Sequence, residues 1–274
     1  MSLRRQALSI LLEPDPDSKA MAAQALWPQG GSDSVEAKLS QADCGEAILL
    51  SSEQLGRLPG HPERPLLVPA REVPSRTPFT LEGRAALLHA ICHIEFNAIN
   101  LALDAIWRFP NMPESFYLDW ARVAAEEALH FSLLRDHLRS LGHDYGDFNA
   151  HDSLWHMCEK TSGDILARMA LVPRTLEARG LDATPLIQAK LARAGDSRAV
   201  EILDIILRDE IGHVSVGNHW FHHLCAERGL DAVQVYPGLV KQYEAPKLKP
   251  PYNEAARRAA GFTEAEMAFL MGQD

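Results

Sequence analysis

The chain has 274 residues and a formal charge of −10, with 46% apolar and 23% charged residues. That composition is ordinary for a globular protein, and the length suits one large core with extensions. The acid excess argues against a protein that coats nucleic acid, which needs a surplus of Lys and Arg.

The N-terminus opens Met1-Ser2-Leu3-Arg4-Arg5, but the mainly apolar run Ala7 to Leu12 is shorter than a secretory core and ends in Glu13-Pro14-Asp15-Pro16-Asp17. No window approaches the about 18 uncharged residues of a membrane span, so a cytoplasmic protein is expected. Residues 1–80 read as an N-terminal extension. Short helical patterns run from Leu3 to Leu12 and from Ser18 to Leu26, and Gly30-Gly31-Ser32 follows. Pro59, Pro62, Pro65, Pro69, Pro74 and Pro78 then forbid a continuous helix and predict extended chain wrapping a surface.

Four long amphipathic patterns come next, and none of the chain alternates like a strand. Leu81 to Phe109 stops at Pro110, and Ser115 to Leu141 stops at Gly142. Thr161 to Arg179 stops at Gly180 and should kink at Pro173; Ser197 to Arg228 stops at Gly229. Pro185 to Ala194 reads as a short extra helix. From 231 to 274 a C-terminal helical tail is expected, irregular from Pro237 to Pro251 and helical again within Asn253 to Met271. The first two long helices have a short link and so pack antiparallel, while residues 142–160 make a long connection to the third. The expected fold is all-α. A ferritin-like four-helix bundle over 81–230 has a long crossover in that place.

The second long helix contains Glu126-Glu127-Ala128-Leu129-His130 and the fourth contains Asp209-Glu210-Ile211-Gly212-His213. Each holds Glu-x-x-His, and residues three apart on a helix share a face, so one carboxylate and one imidazole converge. A two-metal centre needs a further Glu from each remaining helix. Glu95, in a largely apolar stretch, and Glu177 meet that need: Glu127 follows Glu95 by 32 residues and Glu210 follows Glu177 by 33. The predicted ligands are therefore Glu95, Glu127 and His130 in one half-site, and Glu177, Glu210 and His213 in the other. Oxygen and imidazole donors without thiolate suit two iron ions, with manganese compatible with the same set.

Glu126 and Asp209 divide evenly between supporting and surface roles. His89 and His93 share a face turned away from Glu95 and read as packed or hydrogen-bonded; His219, His222 and His223 read as surface or helix-end groups. Trp107, Trp120, Trp155 and Trp220 read as core or groove residues. Cys44, Cys92, Cys158 and Cys225 are too scattered for a disulfide framework and read as buried free thiols.

With those residues placed, the chain resembles the ferritin-like family called domain of unknown function 455. The resemblance rests on His93-Ile94-Glu95, on Asp119-Trp120 through Glu126-Glu127-Ala128-Leu129-His130-Phe131, and on Tyr145-Gly146-Asp147. It continues through Glu177-Ala178-Arg179-Gly180-Leu181-Asp182 and Asp209-Glu210-Ile211-Gly212-His213-Val214. It implies a ferritin-like bundle with a di-iron type site and supplies no substrate. More distantly the chain is similar to tRNA-hydroxylating di-iron enzymes and to rubrerythrins, without the paired C-x-x-C units of a rubredoxin module.

Three functions fit this reading. One is a di-iron oxidoreductase activating dioxygen or peroxide on an unidentified substrate. Another is a ferroxidase or iron-handling protein. The last is a non-catalytic, metal-stabilised or RNA-associated protein, for which Arg168, Arg174, Arg179 and Arg193 would supply a local basic patch.

Overall fold

The computed structural model describes residues 1–27 and 45–272. The glycine pair at 30–31 and Cys44 lie outside the described residues. The protein is helical, and among the described residues the one β feature is an isolated parallel bridge between Leu67 and Ala150. The chain divides into two compact units, Met1–Trp155 and His156–Asp274.

The first unit is built on two long helices. Helices α1 (Leu3–Leu11), α2 (Pro16–Gln24) and the single turn α3 (Ser52–Leu55) precede α4 (Leu81–Arg108) and α5 (Glu114–Ser140). Thr80 caps α4 by accepting from the Gly83 amide at 3.1 Å. At its far end, Arg108 reaches back to Asp104 at 2.6 Å, one turn earlier. Pro110 prevents continuation, and the short link 109–113 turns the chain into α5. Every residue from Glu95 to Trp107 is buried, the mark of a core helix. By length and composition α4 could cross a membrane, yet 78% of its most apolar window is buried inside the protein.

The N-terminal segments pack on this pair: α1 lies on α4 and α2 on α5. Two buried cations fasten them. Arg4 Nη2 donates to the Trp107 carbonyl at 2.9 Å, satisfying one of the acceptors left open at a helix end. Lys19 Nζ donates to the Gly60 carbonyl at 2.8 Å and to Asn100 Oδ1 at 2.7 Å. The proline-rich stretch holds a 3-10 turn at Ala70–Glu72 and hydrogen-bonds through Val68 and Leu66 to Ala150.

After α6 (Ser153–Lys160), the second unit contains α7 (Ile165–Leu171), a π-helical segment (Val172–Glu177), α8 (Ala178–Arg193) and α9 (Ser197–Glu227). Three shorter helices follow: α10 (Ala232–Gln242), α11 (Glu254–Ala259) and α12 (Glu264–Leu270). A core of Ala178, Leu181, Val214, Ala256, Ala260, Phe262 and Met267 joins α8 and α9 to the last two helices.

Two helix boundaries differ from the sequence reading. The third long helix does not stop at Gly180. The chain stays helical from Ile165 to Arg193, absorbing Gly180 and the separately predicted Pro185–Ala194 helix. An internal glycine costs only about 1 kcal/mol relative to alanine. Pro185 removes the amide that would bond the Leu181 carbonyl, and Asn253 Nδ2 donates to that carbonyl instead, at 3.1 Å. The stretch after Pro237 is likewise not wholly irregular, because α10 starts at Ala232, capped by Asp231, and carries Pro237 inside it. The stop signals at Gly142 and Gly229 hold, with φ of +81° and +62°, the left-handed region where glycine carries no Cβ penalty.

Candidate metal centre

In the first unit, α4 presents Glu95 and α5 presents Glu127 and His130. All three are buried, with exposures of 4%, 1% and 0%. His130 Nδ1 lies 3.1 Å from Glu95 Oε2 and 3.4 Å from Glu127 Oε2. One donor atom from each of the three residues falls within 4.8 Å of the others. The Glu-x-x-His spacing does what a helix requires of it, placing the carboxylate and the imidazole on one face one turn apart. Glu95 meets them from the antiparallel partner.

Two carboxylates buried this close together repel one another when both are ionised. A cation resolves that repulsion, and oxygen with imidazole nitrogen is a donor set for a divalent transition metal. The cluster therefore has the burial, spacing and chemistry to hold a metal ion.

The first unit also packs a group of aromatic rings. Phe96 and Phe131, each next in sequence to a cluster residue, have ring centres 5.3 Å apart. Tyr145 packs on both, at 5.3 and 5.1 Å. Its hydroxyl meets His93 Nδ1 at 2.9 Å, while Asn97 Nδ2 lies 3.0 Å from His93 Nε2. His89 Nε2 accepts from the Gly146 amide at 2.9 Å and stacks on Tyr145. Both histidines thus serve in packing and hydrogen bonding, as their wheel position predicts. Burial pushes them down to about 4 (His89) and about 3 (His93), so both are neutral at pH 7.

In the second unit, α9 carries Glu210 and His213, 7% and 1% exposed, with His213 Nδ1 3.6 Å from Glu210 Oε1. Glu177 is half-buried and ends the π-helical segment. Asp209 pairs with the exposed Arg208 at 2.8 Å, and Asp204 accepts from Gln188 at 2.6 Å. Of the later histidines, His222 meets Glu266 at 2.7 Å, and His219 and His223 pack on Trp220. The other three tryptophans named from the sequence are buried as well. Cys92, Cys158 and Cys225 are buried thiols. Arg168 and Arg174 are buried inside the unit and offer no surface to RNA.

Sequence reasoning passed over a second polar centre, in which Arg174 meets Glu266 at 2.7 Å and Asn218 at 2.8 Å beneath Phe221, Tyr236 and Phe262. No local spacing announces it, because its members lie on four separate elements. Lys19 was also missed. Its only local signal is a lysine flanked by the small residues of α2, whose Ala20 and Ala23 are buried.

The fold and cluster define a helical protein with a buried carboxylate–imidazole group able to hold a metal ion. The chain belongs to the family described as "Protein of unknown function (DUF455)", which matches residues 12–268. An uncharacterized protein of Haemophilus influenzae is 55% identical over 216 residues, covering 76% of this chain and 75% of that protein. No solved structure matches.

Proposed function

We propose that the protein is a di-metal, and specifically di-iron, carboxylate oxidoreductase built on a ferritin-like four-helix bundle. The observation that carries this is the buried Glu95–Glu127–His130 group. Supporting it, each unit contributes a long helix pair with one Glu on the first helix and Glu-x-x-His on the second: α4 with α5, and the π-segment and α8 with α9. In this reading Glu95, Glu127 and His130 are the donors of one half-site, and Glu177, Glu210 and His213 those of the other.

Iron bound there would supply the electrons for reducing dioxygen or peroxide. The chain's own groups do the rest. The carboxylates would hold the ions and neutralise their charge. His130 and His213 each turn Nδ1 toward their carboxylates, so ligation places the ring proton on Nε2 and leaves that atom to hold the ring in orientation.

The test is oxygen uptake by protein loaded with ferrous iron, compared with the metal-free chain. Consumption coupled to oxidation of an added organic reductant supports the oxidoreductase. Consumption that stops once the added iron is ferric identifies a ferroxidase. No consumption above the metal-free chain rejects both.

A further inference from the structure

The second unit holds Glu177 in an unusual way. The helix that delivers it is not α-helical at that point, because residues Val172–Glu177 form a π segment. A π segment carries one residue more than α-helical register allows. Collapsing it would rotate everything after it by about 100° relative to α7. Glu177 is its last residue, so the direction of this carboxylate depends on the segment's survival.

Isolated π turns are rare and need outside support, and the structure shows where it comes from. Pro173 has no amide to give the Met169 carbonyl, and its ring crowds a regular turn. Thr175 Oγ1 donates to the Ala170 carbonyl at 2.7 Å, five residues back, filling an acceptor that the widened turn leaves open. The same hydroxyl meets Tyr236 of α10 at 2.8 Å. Arg174 is clamped between Asn218 of α9 at 2.8 Å and Glu266 of α12 at 2.7 Å. Glu266 is fixed in turn by the amide of Thr263 at 2.8 Å, and Asn218 Nδ2 by the Ala260 carbonyl at 2.7 Å. Finally, Gly217 leaves a notch for Pro173. A Cβ at Gly217 would sit 2.6 Å from Pro173 Cβ and 2.7 Å from its Cγ, closer than real side chains pack.

We infer that this device, Thr175 and Arg174 held by Tyr236, Glu266, Asn218 and the Gly217 notch, is a positioning apparatus for Glu177. The C-terminal helices α10 and α12 thereby tune one half of the metal centre. The inference rests on the proposed ligand role of Glu177. None of these residues touches the ions; they act through the backbone of the π segment.

The test is Co2+ titration of the full-length chain, read by the visible absorption of the bound ion, with helix content followed by circular dichroism. Three variants are compared with the unaltered chain: Gly217→Ala, Thr175→Val and Thr175→Ser. Thr175→Val deletes one hydroxyl at nearly constant volume, and Thr175→Ser restores it. The expected result is unaltered helix content, with the weaker-bound ion in Gly217→Ala and Thr175→Val losing at least about tenfold in affinity and changing its spectrum, the scale of supporting-residue effects at metal sites. Thr175→Ser should recover the original spectrum. If Gly217→Ala does not fold, the threonine pair decides alone. Folded Thr175→Val with the original affinity and spectrum would overturn the inference, as would loss of helix content in step with metal. Failure of the unaltered chain to bind Co2+ would instead remove the metal reading itself.

Discussion

The two units carry the same pattern of one Glu followed by Glu-x-x-His and hold it by different means. In the first, Glu95 stands mid-way along an uninterrupted α-helix and is locked by direct contact with His130 at 3.1 Å. In the second, Glu177 ends a π segment, and the side chains that fix that segment belong to helices up to about ninety residues later in sequence, such as the one carrying Glu266. A straight helix places a ligand by its own periodicity. An irregular one places it only as well as its surroundings hold the irregularity. The proposed first half-site should therefore tolerate distant changes, and the proposed second one should feel them.

The largest expected effect would break the symmetry from within. Glu127→Ala removes a 1%-exposed carboxylate from the tighter cluster and should lower metal affinity by on the order of 100-fold or more, with helix content intact. Glu210→Ala should also lose metal. Stoichiometry by elemental analysis after dialysis measures both, and unchanged metal content in both variants would reject the ligand assignment.

A smaller effect concerns the frame of the first unit. Burial drives the Lys19 ammonium down to about 7 from 10.5. Between those values the unfolded chain holds a proton that the folded chain has released, so unfolding takes up a proton. Stability should rise with pH across roughly pH 7 to 10.5, by at most about 1.4 kcal/mol per pH unit. Lys19→Met should flatten this slope in urea unfolding measured at several pH values, and a slope equal to the original would show that Lys19 is not its source.

Smaller again is the support of the second unit at Pro185. Asn253→Ala removes both the donor to the Leu181 carbonyl and the acceptor that caps α11 through Ala256 at 3.2 Å. A loss of about 1–2 kcal/mol is expected in thermal unfolding. The same change should leave the Glu95–Glu127–His130 group untouched, which sharpens the contrast between the units.

Much of this was legible in the sequence, for a local reason. Glu95, Glu127 and His130 sit on helices whose apolar periodicity is strong, and the three-residue spacing alone puts Glu127 beside His130. The long helices α4, α5 and α9 begin and end within a residue or so of their signals, because Thr80, Pro110, Gly142, Asp196 and Gly229 act on their own neighbours. The third long helix was misread because its continuity depends on Asn253, 72 residues beyond the carbonyl it satisfies. The π segment was seen only as a kink at Pro173, since Tyr236, Glu266 and the Gly217 notch reach it from later elements. Lys19 was invisible for the same reason, its partners being Gly60 and Asn100.

The central claim is that these buried acids and histidines are metal ligands. It is tested most directly by a crystal structure of protein loaded with iron or manganese, with anomalous scattering collected at both edges. Anomalous peaks are expected within coordination distance of Glu95, Glu127 and His130, and of Glu177, Glu210 and His213. Fully loaded crystals with no peak at these six residues would contradict it.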